Sequence, residues 1–193
     1  MAVKTFTTGE VLTASDTNTY LNNGGLVYVT STTFTSGSTA DIALCLSSTY
    51  DNYRIVLSDL RISSANGISF TLITGSGGSV TPAASNWTYA TTRFDYGANA
   101  WSFAKGTAAA YATDFAVAGT SAAGAVIDLY NPNTAQQTTF QSTGIDYRGT
   151  TGYLPYITGA VLANSTQYTG IRFNIGGSTF TNMKVVVYGY RIA

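Results

Sequence analysis

The 193-residue chain has no histidine, one cysteine and three prolines, and its nine basic and nine acidic residues make up only 9% of it. Without histidine, zinc, haem and iron–sulfur sites lack ligands, and Ser/His and Cys/His catalysis lacks its base. No cofactor or metal is expected. The single thiol, Cys45 within "IALCLS", excludes an internal disulfide and reads as a small buried hydrophobe. Balanced charge with no Lys/Arg cluster argues against nucleic acid as a partner. No apolar run approaches the roughly 20 residues that span a bilayer, so membrane insertion is not expected either. "MAVKTFTTGE" lacks the apolar core of a secretory signal, and synthesis in the cytoplasm is the expectation. Glycan hydrolysis by two carboxylates is the one catalytic apparatus left, and it needs acids roughly 5–10 Å apart. Asp51 and Asp59 lie at opposite ends of one strand, about 25 Å apart at 3.3 Å per residue. Asp95, Asp114, Asp128 and Asp146 are scattered, and the sole glutamate, Glu10, lies near the N-terminus. The chain reads as a non-enzyme.

What is present is a β composition. Apolar residues make up 45%, with 20 Gly, 14 Tyr and abundant Ser and Thr. β-branched and aromatic side chains fit a pleated, half-buried surface, and Gly, Asn and Ser supply turns. From Leu26 onward the apolar period is two. "LVYVTSTTF", "DIALCLS", "YRIVLSDLRIS", "GISFTLITG", "YATDFAVAG", "GAVIDLYNP", "TTFQSTGIDYR", "GYLPYITGAVLA", "QYTGIRFNIG" and "NMKVVVYGYRIA" read as strands. Asn66-Gly67 predicts a hairpin joining the third and fourth of these. Short strands at this spacing predict an antiparallel β-sandwich or jelly roll over residues 26–193.

Residues 1–25 read as an arm. In "GEVLTASDTNTYLNN" Thr13 can cap a helix with Asp16 three residues on, and Asn22-Asn23-Gly24 ends it. One or two turns cannot stand alone, so the apolar side chains Val11, Leu12, Tyr20 and Leu21, with Phe6 upstream, need a docking surface. The expected fold is therefore a mainly-β body with a short N-terminal helical arm.

"FTTGEVLTASDTNTYL" resembles an N-terminal stretch found on structural proteins of tailed bacteriophages, including tail fibres and minor virion proteins. "YDNYRIVLSDLRIS" and "GGSTFTNMKVVVYGYRI" are similar to the β-sandwich part of such proteins. The resemblance implies a homo-oligomeric virion component, a trimer by analogy, whose arm attaches it to other virion proteins or sister subunits. A fibre or tail-tip protein touching the host surface is the leading expectation. A capsid cement or decoration protein is the alternative.

The segment 87–103 is rich in aromatics, and flat sugar faces stack on Trp and Tyr while carboxylates take hydroxyls. Trp87, Tyr89, Asp95 and Trp101 are the candidate contacts for a host glycan or protein partner. Tyr153 and Tyr156 in "DYRGTTGYLPY" form a second candidate loop. Ordinary core packing competes with this reading at each aromatic, and a stand-alone carbohydrate-binding module is a third functional class.

Overall fold

A computed structural model describes residues 7–11, 25–76, 79–96, 98–118, 120–147 and 153–190. The expected arm helix, with Phe6, Leu12, Tyr20 and Leu21, lies outside the described residues, as do the side chains of 113–118, 146, 147 and Tyr153. Of the arm, residues 7–10 form a tight turn. Glu10 N–H donates to the Thr7 carbonyl (3.0 Å), and Gly9 takes the positive φ of 89° that the turn requires. Val11 beyond it is exposed.

All thirteen described elements are strands: β1 (Leu26–Phe34), β2 (Thr39–Ile42), β3 (Asn52–Ile62), β4 (Asn66–Ser76), β5 (Ser79–Pro82), β6 (Trp87–Asp95), β7 (Ala100–Ala109), β8 (Ala112–Ala118), β9 (Ala123–Tyr130), β10 (Thr138–Tyr147), β11 (Tyr153–Leu162), β12 (Gly170–Ile175) and β13 (Phe180–Tyr190). They make two antiparallel sheets. The larger has the order β1-β13-β3-β9-β10-β11-β6-β7, and the smaller β2-β12-β4-β5 with β8 also on β4. The segments picked out by their two-residue period form strands, except "DIALCLS", where the strand ends at Ile42 and the chain turns through Ala43 and Leu44, the latter at a positive φ of 57°. The Asn66-Gly67 hairpin does not form. β3 belongs to the large sheet and β4 to the small one, and Asn66 and Gly67 already pair with Ala118 and Val117 of β8.

Alternation decides which side chains enter the space between the sheets. Tyr53, Ile55 and Leu57 of β3 point inward, as do Ala125, Ile127 and Leu129 of β9, Phe140 of β10 and Val185 and Val187 of β13. A bulge after Leu57, where Asp59 adopts a positive φ of 49°, resets the phase so that Leu60 and Ile62 also enter the core. The small sheet contributes Phe70 and Phe173. Phe70 meets Phe140 at 5.2 Å and Trp87 at 6.2 Å between ring centroids, both edge to face, and thereby joins the two layers. Such aromatic pairs contribute roughly 0.5–1.5 kcal/mol each beyond the area they bury.

Two of the connections that change sheet, β3 to β4 and β12 to β13, are tied together by one side chain. Ser178 Oγ accepts from the Ser64 amide (3.2 Å), donates to the Ser64 carbonyl (3.1 Å) and lies 3.1 Å from Ser63 Oγ. With its inner face filled, the large sheet is left with one face directed outward.

Candidate interaction surface

That outward face can be followed row by row, because antiparallel register sets side chains directly opposite one another. One row runs Tyr28, Tyr188, Arg54, Asp128, Gln141, Gly159, Ala90, Lys105 across all eight strands. At its centre Arg54 grips Asp128 with two parallel bonds, Nε to Oδ1 at 2.7 Å and Nη2 to Oδ2 at 2.8 Å. The Tyr190 hydroxyl donates to the same Oδ1 at 2.6 Å, and the Arg54 guanidinium carbon stands 5.6 Å from the Tyr190 ring centre. Bonding to Arg54 holds the Asp128 carboxyl below the ordinary carboxylate value. Burial, followed by the bond to Asp128, pushes the Tyr190 hydroxyl up to about 12. Every lone pair this carboxylate uses is committed to a neighbour on the same sheet, so the group acts as a cross-strand clasp.

Two further rows lie beyond it, and they are apolar. One carries Val186, Val56, Val126, Thr143, Ile157, Thr92 and Phe103. The other carries Gly124 and Ile145, with Phe94 and Trp101 towards the β7 edge. Trp101 is 62% exposed, Phe103 77%, Ile145 53% and Ile157 56%. Phe94 and Trp101 pack edge to face at 5.2 Å. Next to them a groove of about 600 Å³ runs over Val56, Gly124, Val126 and Ile145, its floor lowered where Gly124 presents no side chain. From β3 to β7 the patch crosses five strand spacings, about 24 Å. No charged side chain lies on either row between β9 and β7; the exposed Lys184 of β13, opposite Ser58, bounds the patch at its other end.

The sequence-nominated aromatics separate on the two sides of the sheet. Trp87 is fully buried, its indole Nε1–H donating to Thr71 Oγ1 at 3.1 Å. Tyr89 is half-buried and lies over Gly106. Tyr156 is buried, its hydroxyl beside Gly144. Trp87 and Tyr156 cannot stack on a ligand from solvent, which corrects their nomination as glycan contacts, while Tyr89 keeps part of its ring in a shallow groove with Thr88, Ala90 and Lys105. The reason is register: Phe94 pairs with Trp101 and Thr92 with Phe103, so odd positions of β6 face inward while odd positions of β7 face outward. Among the nominated aromatics with described side chains, Trp101 is the one fully presented, with Asp95 at the end of its hairpin accepting a turn bond from the Ala98 amide (3.0 Å). Phe103, Ile145 and Ile157 complete the surface, and sequence reasoning passed over them as sites. Their signal was the outward phase of their strands.

Cys45 is buried and donates to the Ile42 carbonyl at 3.2 Å, and burial pushes its thiol up to about 12. Asp41 is bound by Arg172 (2.6 and 2.7 Å) and Asp59 by Arg61 (2.7 Å). Among the described residues no three His, Cys, Asp or Glu side chains gather where they could hold a metal.

Fold and surface together define a mainly-β protein of two facing sheets whose large sheet exposes an apolar patch on its outward face. No family model matches the chain, and neither a curated protein nor a solved structure does.

Proposed function

We propose that this chain is a non-enzymatic structural component of a tailed-bacteriophage particle, attached through its N-terminal arm and contacting its neighbours through the outward face of the large sheet. The observation that carries the contact role is the apolar patch of Trp101, Phe103, Ile145 and Ile157. Contiguous apolar surface rimmed by polar residues is uncommon on isolated soluble proteins and marks interaction sites. The "GEVLTAS" arm supports the particle. A jelly-roll wiring and a helix in the arm belong to the same reading, as does placement on a fibre or tail tip against the host surface.

A capsid cement or decoration protein is the second reading, and the character of the patch favours it. Sugar platforms combine aromatic faces with unspent polar groups, whereas this one is aliphatic and aromatic with its nearest carboxylate, Asp95, engaged in a turn. Such a surface suits protein better than glycan, and a stand-alone carbohydrate-binding module loses Trp87 and Tyr156 from its proposed contacts.

Immuno-gold microscopy or reconstruction of intact particles tests the proposal. Full-length protein is expected at a discrete particle position, with removal of residues 1–24 abolishing incorporation while the body still folds. Absence from particles sinks both readings; incorporation without the arm sinks the attachment role.

A further inference from the structure

Strands at the end of a sheet present unpaired amides and carbonyls, and proteins usually blunt such edges by shortness, bulges, proline or charge. Four edges here are blunted. β2 and β5 are four residues each, β5 ends on Pro82, β1 carries a bulge between Tyr28 and Thr30, and the pairing of β8 with β4 is interrupted between Ile68 and Phe70. The end strand β7 also bulges, but only near its end, after a longer regular stretch. It has ten residues, no proline and one charge, Lys105, and no described strand pairs with its outer edge. Its side chains Trp101 and Phe103 belong to the apolar patch.

We infer that β7 is a self-association edge, pairing antiparallel with β7 of a second copy across a two-fold axis at Phe103. Register selects this centre. Residues 100 to 106 pair one to one with β6, and the strand then bulges, with Ala108 at a φ of 50°. The flat stretch is thus seven residues with Phe103 in the middle, and a two-fold there uses all of it without meeting the bulge. In that register Trp101 faces Lys105 of the other copy, so the strand's one charge lies over an indole face, the preferred aromatic partner of a cation. A centre at Lys105 would instead oppose two like charges. On the inner side Ser102 faces Ala104 and Ala100 faces Gly106, all small enough to pack closely. The axis is perpendicular to the sheet, so the two apolar patches join on one side, and a net charge of zero leaves no long-range repulsion between copies. The edge closes on itself at two copies, so the solution unit is a dimer, in place of the trimer that the N-terminal resemblance implies. The pairing holds whether or not the protein sits on a particle.

Sedimentation velocity on the full chain, with Phe103→Lys as the disrupting variant, tests it. The wild type is expected at the mass of two chains and the variant at one, with at least tenfold weaker association and an unchanged circular dichroism spectrum, since position 103 is open to solvent. Register is tested by the double variant Trp101→Cys, Lys105→Cys under mild oxidant. Facing β-carbons about 5 Å apart bridge after slight adjustment, while positions 101 and 105 of one strand are about 13 Å apart and cannot. A covalent dimer is expected from the double variant and none from Trp101→Cys alone. A wild-type monomer at every concentration, a three-chain mass, a dimer indifferent to Phe103→Lys, or no covalent dimer would each overturn the inference.

Discussion

Asp128 shows how far a single residue's role can lie from its local sequence. "IDLYNP" suggests an exposed strand position or a turn cap, and only the fold brings Arg54, 74 positions earlier, and Tyr190 to the same carboxylate. No local pattern announces a partner at that separation. Asp128→Asn keeps the shape but removes the charge, and a loss of about 1 kcal/mol is expected in urea titrations, modest because solvent reaches the rim of the pair. The pH dependence follows from the directions of the shifts. Asp128 titrates below its unfolded value near 3.9, so its contribution is complete above that value and fades as pH falls through the folded one. The Asn variant should lose less stability on acidification than the wild type. Tyr190 is shifted the other way, from 10.0 to about 12, so its contribution is complete below pH 10 and fades as pH rises towards 12. Cys45 is raised from 9.0 to about 12, so its contribution is complete below pH 9 and fades from there towards 12. Tyr190→Phe is therefore expected to flatten the alkaline limb of a stability–pH curve without abolishing it.

At the scale of elements, strands are legible in the chain because alternation is local, whereas the sheet each joins is not. β3 and β4 show why. Ile62 and Ile68 both point into the core, one from each sheet, and a hairpin or a sheet crossing would leave the same alternating pattern. Asn66-Gly67 favoured the hairpin, but the Ser178 contacts that hold the crossing come from more than a hundred residues away. The same holds for Trp87 and Trp101, placed on opposite faces by a hairpin register that composition does not encode. Two glycines in neighbouring strands give a test of strand packing. A β-carbon at Gly144 would stand 2.5 Å from the Gly124 carbonyl oxygen and 2.6 Å from the Tyr156 hydroxyl, while one at Gly159 meets nothing within 4 Å. Gly144→Ala is expected to cost roughly 1–3 kcal/mol by overpacking. Gly159→Ala should stay within about 0.5 kcal/mol of the wild type, with any change towards greater stability. Chemical denaturation of the pair checks both.

For the whole molecule, one core shared by both sheets implies that they unfold together. The two tryptophans make this measurable, since Trp87 is sealed between the sheets and Trp101 stands on the surface. With Trp101→Phe, the remaining emission should be blue-shifted and shielded from iodide; with Trp87→Phe, red-shifted and quenched. Their denaturation midpoints, each corrected for the stability change of its own substitution, are expected to coincide, as a two-state transition requires. Separate midpoints would mean that the β6–β7 hairpin opens before the core. The β-body was thus readable from periodicity, while the contact face needed the register that turns isolated exposed residues into rows.

The order of strands in the large sheet also constrains how the chain can be made. β13, last of the described strands in chain order, lies between β1, the first, and β3. Until residues 180 to 190 have emerged from the ribosome, β1 has no partner in its sheet and β3 keeps an open edge. Such far-separated pairing is slow, and the unfinished edge is exposed to other chains meanwhile. A nascent chain halted before Phe180 should therefore depend on a holding chaperone in a way that the completed chain does not.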